Sequence, residues 1–254
     1  MRESVRIQMS SHGEVRRSAT GVVVESTPAG DGAPARSIVM TNAHVADPEG
    51  LKDPTYAILI EQHGRVVQTL PAKVIAMGQV PDLDLALLEV DAALPSAELA
   101  REDAIDVGDD VVVIGAPYGR SLSVSGGLVS QLEPEDGAGT EPRYSGMKTD
   151  AAIGYGCSGG GVFEVPSGQL VGIVEGYRTA RVNIDDNRAF DVPMPGETFV
   201  APVTKVRRFL TEHFAAVHPG KVAPTATATA LAAGPMPAPT TPTAPIGEPR
   251  TAAH

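Results

Sequence analysis

Up to about residue 216 the chain is a succession of short runs rich in Val, Ile and Leu, separated by turn residues. The clearest are 21–25, 37–41, 56–61, 85–90, 111–115, 128–132 and 170–175. Most are bounded by Gly, Pro, Asp or Asn, as expected of strands in an all-β domain. No regular strand–helix alternation accompanies them, which argues against a parallel α/β sheet. One stretch has the helical period instead. Pro202 stands at its start, and Val203, Val206, Leu210 and Phe214 recur at three- and four-residue spacing, with Lys205, Arg208 and Glu212 largely off that stripe. A second helix is expected over 96–103, in the connection between two groups of strands. The folded part is therefore placed at 1–216, with halves at about 1–93 and 105–216. Residues 217–254 are mostly Ala, Pro, Thr and Gly. Such side chains bury too little apolar area to offset the entropy of ordering them, and the segment reads as a disordered tail.

Charge and composition narrow the possible partners. The 254 residues hold 31 acidic and 20 basic side chains, a net charge of -11. No basic stripe offers itself to phosphates, so nucleic acid is excluded as a partner. The first twenty-five residues carry several charges and no apolar run longer than Val22-Val23-Val24. A secretory leader needs roughly 7–15 continuous apolar residues, and a membrane span needs about 20. Cys157 is the only cysteine, so no intrachain disulfide can form. Together these features predict a soluble cytoplasmic protein that does not insert into membranes. Asp185-Asp186 reads as a solvated acidic turn rather than a cation site, and no metal or organic cofactor is expected.

Three segments carry candidate chemistry. In Gly156-Cys157-Ser158-Gly159-Gly160, glycines flank a serine. They permit a tight turn whose N–H groups point the same way, and they keep side chains off an incoming carbonyl carbon. An ordinary Gly/Ser surface turn would read the same. Thr41-Asn42-Ala43-His44 directly follows an apolar strand, which can hold a histidine on a rigid support. With an ordinary pKa of about 6.5, histidine can take a serine proton near neutrality and return it to a leaving amine. The other histidines have no such setting. Asp84-Leu85-Ala86-Leu87-Leu88 puts a carboxylate at the mouth of a buried strand, where it must be paired. Asp82 competes for that role, but it follows Pro81 in a turn, so Asp84 is preferred.

In the order His44, Asp84, Ser158, these segments resemble the trypsin-like serine protease superfamily, and specifically its HtrA/Deg-type bacterial branch. Thr149-Asp150-Ala151-Ala152-Ile153, Val113-Ile114-Gly115-Ala116-Pro117-Tyr118-Gly119, Ser125-Gly126-Gly127-Leu128-Val129-Ser130, Val171-Gly172-Ile173-Val174 and Phe199-Val200-Ala201-Pro202 are similar to that branch as well. The resemblance implies two packed six-stranded antiparallel β-barrels with the site in the cleft between them. It implies a serine endopeptidase acting on polypeptides through an acyl-enzyme, with Ser158 as nucleophile, His44 as base and Asp84 orienting the base. The backbone N–H groups of Gly156 and Ser158 would hold the oxyanion. The substrate pocket would have its floor at Ala152, six positions before the serine, with Val174 and Glu175 beside it, and would take small or medium aliphatic side chains. The chain departs from the branch where Cys157 replaces the usual Asn, Gly161 the usual Pro and Gly154-Tyr155 an Asn-Pro pair. Trypsin has Asp at the position of Cys157, which pairs with a newly cut N-terminus, so that mode of activation is not expected here. After the protease half the sequence runs into the Ala/Pro/Thr-rich stretch rather than the PDZ domain usual in the branch. The rival reading is a catalytically silent barrel that serves as a binding module.

Overall fold

The computed structural model describes residues 2–30, 32–135, 143–185 and 188–218. The first barrel contains β1 (Ser4–Ser11), β2 (Glu14–Thr27), β3 (Arg36–Thr41), β4 (Thr55–Gln62), β5 (Arg65–Met77) and β6 (Ala86–Val90). It closes in the order β1-β2-β3-β6-β5-β4. The second contains β7 (Asp110–Gly115), β8 (Ser123–Pro134), β9 (Tyr144–Thr149), β10 (Gly161–Glu164), β11 (Leu170–Asp185) and β12 (Arg188–Pro202). It repeats the same topology, β7-β8-β9-β12-β11-β10, and every pairing in both barrels is antiparallel.

Two hairpins turn on His-Gly pairs. His12 (φ 52°) and Gly13 (φ 80°) join β1 to β2, and His63 (φ 51°) and Gly64 (φ 73°) join β4 to β5. Positive φ at both central residues matches the right-handed strand twist, and this is why a glycine occupies the second position.

The continuous apolar runs have a simple cause. Alternate residues of one strand face two different cores. In β6, Ala86, Leu88 and Val90 point into the first barrel, while Leu87 joins Leu85 in a cluster between the barrels. In β3, Val39 points inward while Ile38 and Met40 face outward to that shared cluster. From the second barrel, Ile114, Phe163, Leu170 and Ile173 meet them, while Val171 and Val174 fill the second barrel itself.

The two helix expectations need correction. Residues 96–103 are not helical, because their backbone groups are taken by flanking strands. Ala97 N–H donates to Val23 O (2.8 Å), Ala100 N–H to Leu170 O (3.0 Å), and Leu170 N–H to Glu98 O (2.8 Å). The guanidinium of Arg207 binds the carbonyls of Leu99 and Ala100 and ties this connection down. The C-terminal helix forms as α2 (Val203–Glu212), but the chain breaks at His213 and resumes as the single turn α3 (Phe214–Val217). Phe214 is therefore not on the stripe of Val203 and Val206; Phe209 is, and it is fully buried. Arg36 donates to the carbonyls of Ala216 and Val217 and fixes the end of that turn. No helix among the described residues is long and apolar enough to cross a membrane. The segment 217–254, except for Val217 and His218, and the Asp185-Asp186 side chains lie outside the described residues.

Candidate active site

The pairing of β3 with β6 brings the base and its partner together. Thr41, the last residue of β3, stands opposite Ala86, the first of β6. Antiparallel pairing then puts the residues after Thr41 beside those before Ala86, which are His44 and Asp84. His44 lies in the one-turn helix α1 (Ala43–Ala46), whose carbonyls are held from outside. Arg17 donates to His44 O and Asp47 O (both 2.7 Å), and the Tyr56 hydroxyl donates to Ala46 O (2.5 Å).

Both carboxylate oxygens of Asp84 are used by His44. The backbone N–H of His44 donates to Oδ1 (2.9 Å), and Nδ1 lies 2.6 Å from Oδ2. A carboxylate only accepts, so Nδ1 carries a hydrogen, and in the neutral ring Nε2 keeps the lone pair. Buried Asn42 donates to Asp84 O (2.9 Å) and fixes the backbone on which the carboxylate rides. Asp84 is 8% exposed, whereas Asp82 is exposed. The preference between the two aspartates thus has a geometric basis.

Ser158 sits on the loop between β9 and β10. Gly156 (φ 91°) and Gly159 (φ 78°) both adopt a backbone conformation that strongly favours glycine. At Gly159 a Cβ would lie 2.2 Å from Thr20 O and from Thr41 Oγ1, so the loop presses on the strand ends that lead to His44. Among the described residues, the N–H groups of Gly156 and Ser158 have no acceptor. Two free donors on a half-buried turn suit an oxyanion. Ser158 Oγ and His44 Nε2 likewise have no partner among the described residues. Such contacts are often loose without substrate and tighten when it binds.

Cys157 points the other way. The residue is 4% exposed, its thiol packs against Gly115, and burial pushes its pKa up. The residues expected to form the substrate pocket have different surroundings. Exposed Ala152 lines a cavity of about 220 Å³ with Val113, Pro117, Tyr118, Ile153 and Cys157. Val174 is wholly buried and holds the serine loop through its backbone, accepting from Gly159 N–H (2.9 Å) and donating to Gly160 O (2.8 Å). Glu175 faces Lys205 Nζ at 3.8 Å. Burial and the charge of Asp84 raise the Glu175 pKa, against the lowering effect of Lys205 and His44.

The model of the trypsin-like peptidase domain matches residues 19–173, which include His44, Asp84 and Ser158. The chain belongs to the trypsin-like peptidase family. Similar curated relatives include a probable periplasmic serine protease, do/HhoA-like, of Haemophilus influenzae, 31% identical over 170 residues. That match covers 65% of this chain and 33% of the relative. The periplasmic serine endoprotease DegP of Salmonella typhimurium is 33% identical over 156 residues, covering 61% of this chain and 29% of the relative. This trypsin-like peptidase domain therefore spans about a third of the length of the curated relatives that it matches. A solved serine endoprotease from Yersinia pestis superposes with a TM-score of 0.58 at 23% identity, covering 83% of this chain and 62% of that one. At that identity it speaks for the fold alone, and the fold agrees with the two barrels expected.

These relatives correct the cytoplasmic placement expected from the sequence. The Haemophilus, Salmonella and Escherichia proteins are named as periplasmic, which points to the periplasm. The sequence argument failed at two steps. A lone cysteine cannot pair within its own chain in any compartment, so Cys157 never bore on redox environment. The missing apolar run describes the first twenty-five residues and nothing beyond them.

Sequence reasoning missed several residues that shape the site of this trypsin-like domain. Arg17 and Tyr56 hold the turn that bears His44, and both look like ordinary strand residues in the sequence. Thr20 and Thr41 touch the serine loop from the first barrel, yet a threonine in a strand carries no signal of its own. Tyr118 has φ 56° without being a glycine, a strained backbone that only coordinates reveal.

Proposed function

We propose that this domain is a serine endopeptidase in which Ser158 attacks the peptide carbonyl carbon. The observation that carries this reading is an exposed His44 ring held at 2.6 Å by buried Asp84, together with a serine loop holding two N–H groups without a partner among the described residues. In the first step Ser158 Oγ bonds to the carbonyl carbon and its proton passes to His44 Nε2. Asp84, accepting from Nδ1, supports the imidazolium that forms. The carbonyl oxygen becomes an oxyanion that accepts from Gly156 and Ser158 N–H. Collapse breaks the C–N bond, and the amine leaves with the proton from His44. Water then attacks the acyl-enzyme, giving its proton to His44, which returns a proton to Ser158 Oγ as the free acid departs.

The relatives' names support peptide bonds as the substrate class, since they are called serine proteases or endoproteases. Ala152 supplies no charge at the pocket floor, and we assign to the site a preference for Val, Ala or Leu over Lys or Arg. The test is hydrolysis of a mixed peptide library and an unfolded protein by purified enzyme, with Ser158→Ala as control. Cleavage by the wild type alone is expected. A wild type that binds peptides but never cleaves them is a binding module instead.

A further inference from the structure

The two free N–H groups point usefully only if the peptide planes around them are fixed, and a loop with three glycines in Gly156–Gly160 has little stiffness of its own. Within a trans peptide the C=O and the N–H project in opposite directions. Each N–H is therefore aimed by whatever holds the carbonyl of its own plane. Tyr155 O accepts from Tyr118 N–H (2.5 Å), which turns Gly156 N–H the opposite way. Cys157 O accepts from Gly160 N–H (2.9 Å), which does the same for Ser158 N–H.

The plane between these two, Gly156–Cys157, is held from the other barrel. Gly156 O accepts from Thr20 Oγ1 at 2.8 Å, and Cys157 N–H is turned back onto Gly154 O at 3.1 Å. The next carbonyl, Ser158 O, accepts from Thr20 N–H at 3.0 Å. Thr20 thus supplies donors to two of the four carbonyls from Tyr155 to Ser158.

The direction of the Thr20 hydroxyl is not free. Ala116 N–H donates to it at 2.9 Å, occupying a lone pair and leaving its hydrogen for Gly156 O. Ala116 immediately precedes the turn Pro117–Gly119 that carries Tyr118, so one hydroxyl joins the two segments that set the Tyr155–Gly156 plane. Thr20 O in turn accepts from Thr41 Oγ1 at 2.8 Å, at the end of the strand that leads to His44. Thr20 is fully buried, so its hydroxyl is out of reach of bulk solvent.

We propose that Thr20 is a positioning residue for the proposed oxyanion site: its hydroxyl fixes the Gly156–Cys157 plane, so that Gly156 and Ser158 N–H converge on one point. The proposal rests on the serine peptidase reading. Thr20→Ser keeps the hydroxyl. Thr20→Val keeps the shape and leaves Gly156 C=O and Ala116 N–H without partners.

The experiment compares wild type, Thr20→Ser and Thr20→Val in three measurements: kcat and KM on a fluorogenic peptide, inhibition by a peptide aldehyde whose adduct mimics the oxyanion, and the thermal midpoint. Thr20→Ser should stay within about threefold of wild type throughout. Thr20→Val should lose about 10²-fold in kcat, with KM within about threefold and aldehyde affinity falling in step with kcat. A purely structural role would lower the thermal midpoint and leave kcat per folded molecule and aldehyde affinity unchanged, which overturns the proposal. If Thr20→Val does not fold, Thr20→Cys, with its weak thiol donor, takes its place. It should lose about tenfold in kcat, and wild-type kcat there overturns the proposal. Fluorophosphonate labelling separates the two claims. Equal labelling rates of wild type and Thr20→Val overturn the role of Thr20 alone, and no label on wild type overturns the peptidase reading together with it.

Discussion

Replacing Asp84 by asparagine probes the geometry of the base most sharply. The carboxylate offers one oxygen to the backbone N–H of His44 at 2.9 Å and the other to Nδ1 at 2.6 Å. An amide of the same shape has one oxygen and one NH2. If the oxygen stays with the backbone N–H, the NH2 donates to Nδ1, and the ring hydrogen must move to Nε2. The nitrogen that should take the Ser158 proton then already carries one. The flipped amide instead sets its NH2 against the backbone N–H, stranding a buried donor at a cost of about 1–3 kcal/mol. Either way the productive tautomer is lost, and kcat/KM should fall about 10⁴-fold, or about 5.4 kcal/mol in the transition state. Packing changes little, because the donation from Asn42 goes to the backbone carbonyl of Asp84 and survives. The assay is kcat/KM on a fluorogenic peptide, with circular dichroism to fix the folded fraction and Asp82→Asn as control. A folded Asp84→Asn variant within tenfold of wild type would refute the reasoning. So would an equal loss in Asp82→Asn.

Cys157→Ala should keep most activity, and native Cys157 should resist iodoacetamide until the pH is well above the ordinary thiol range, because burial raises its pKa; rapid alkylation at neutral pH would contradict this. The raised Glu175 pKa means that the folded state holds this proton to higher pH than the unfolded one. Stability contributed by protonated Glu175 is therefore lost as pH rises from about 4.5 through the folded value, and the wild-type thermal midpoint should fall across that window more than that of Glu175→Gln. Leu85→Ala, which opens a hole between the barrels at a fully buried position, should cost about 2–5 kcal/mol in a denaturant melt. A smaller loss would mean that the two barrels close over the gap.

What the sequence displays and what it hides divide along physical lines. Strands buried on both faces, such as β3 and β6, are plain to read because each carries an unbroken apolar run, Ile38-Val39-Met40 in one and Ala86-Leu87-Leu88 in the other. The first half of β5, from Arg65 to Thr69, is exposed and carries no apolar alternation, whereas Leu70, Ala72 and Val74 alternate with exposed residues and could have been read. β1 does alternate, with Val5, Ile7 and Met9 buried, and its period of two is a signal that the sequence reading passed over. The 96–103 segment has helix-forming residues, yet strand edges offer its backbone better partners than its own turns do, and only the tertiary fold decides that contest. His44, Asp84 and Ser158 stand out because glycines or apolar runs flank them. Thr20, Arg17 and Tyr56 act through side-chain hydrogen bonds to residues 10 to 136 positions away, and nothing local marks such bonds. The cavity beside Ala152 was likewise beyond reach, because Val113, Pro117 and Tyr118, which line it, lie far from Ala152 in the chain.

The central claim is that Ser158 is the nucleophile, and intact-mass measurement after fluorophosphonate treatment tests it most directly. Wild type and Cys157→Ala should each gain one phosphonyl group, lost on denaturation before treatment, and peptide mapping should place it on Ser158. Ser158→Ala should gain none. A label that persists in Ser158→Ala, or that vanishes in Cys157→Ala, would contradict the account.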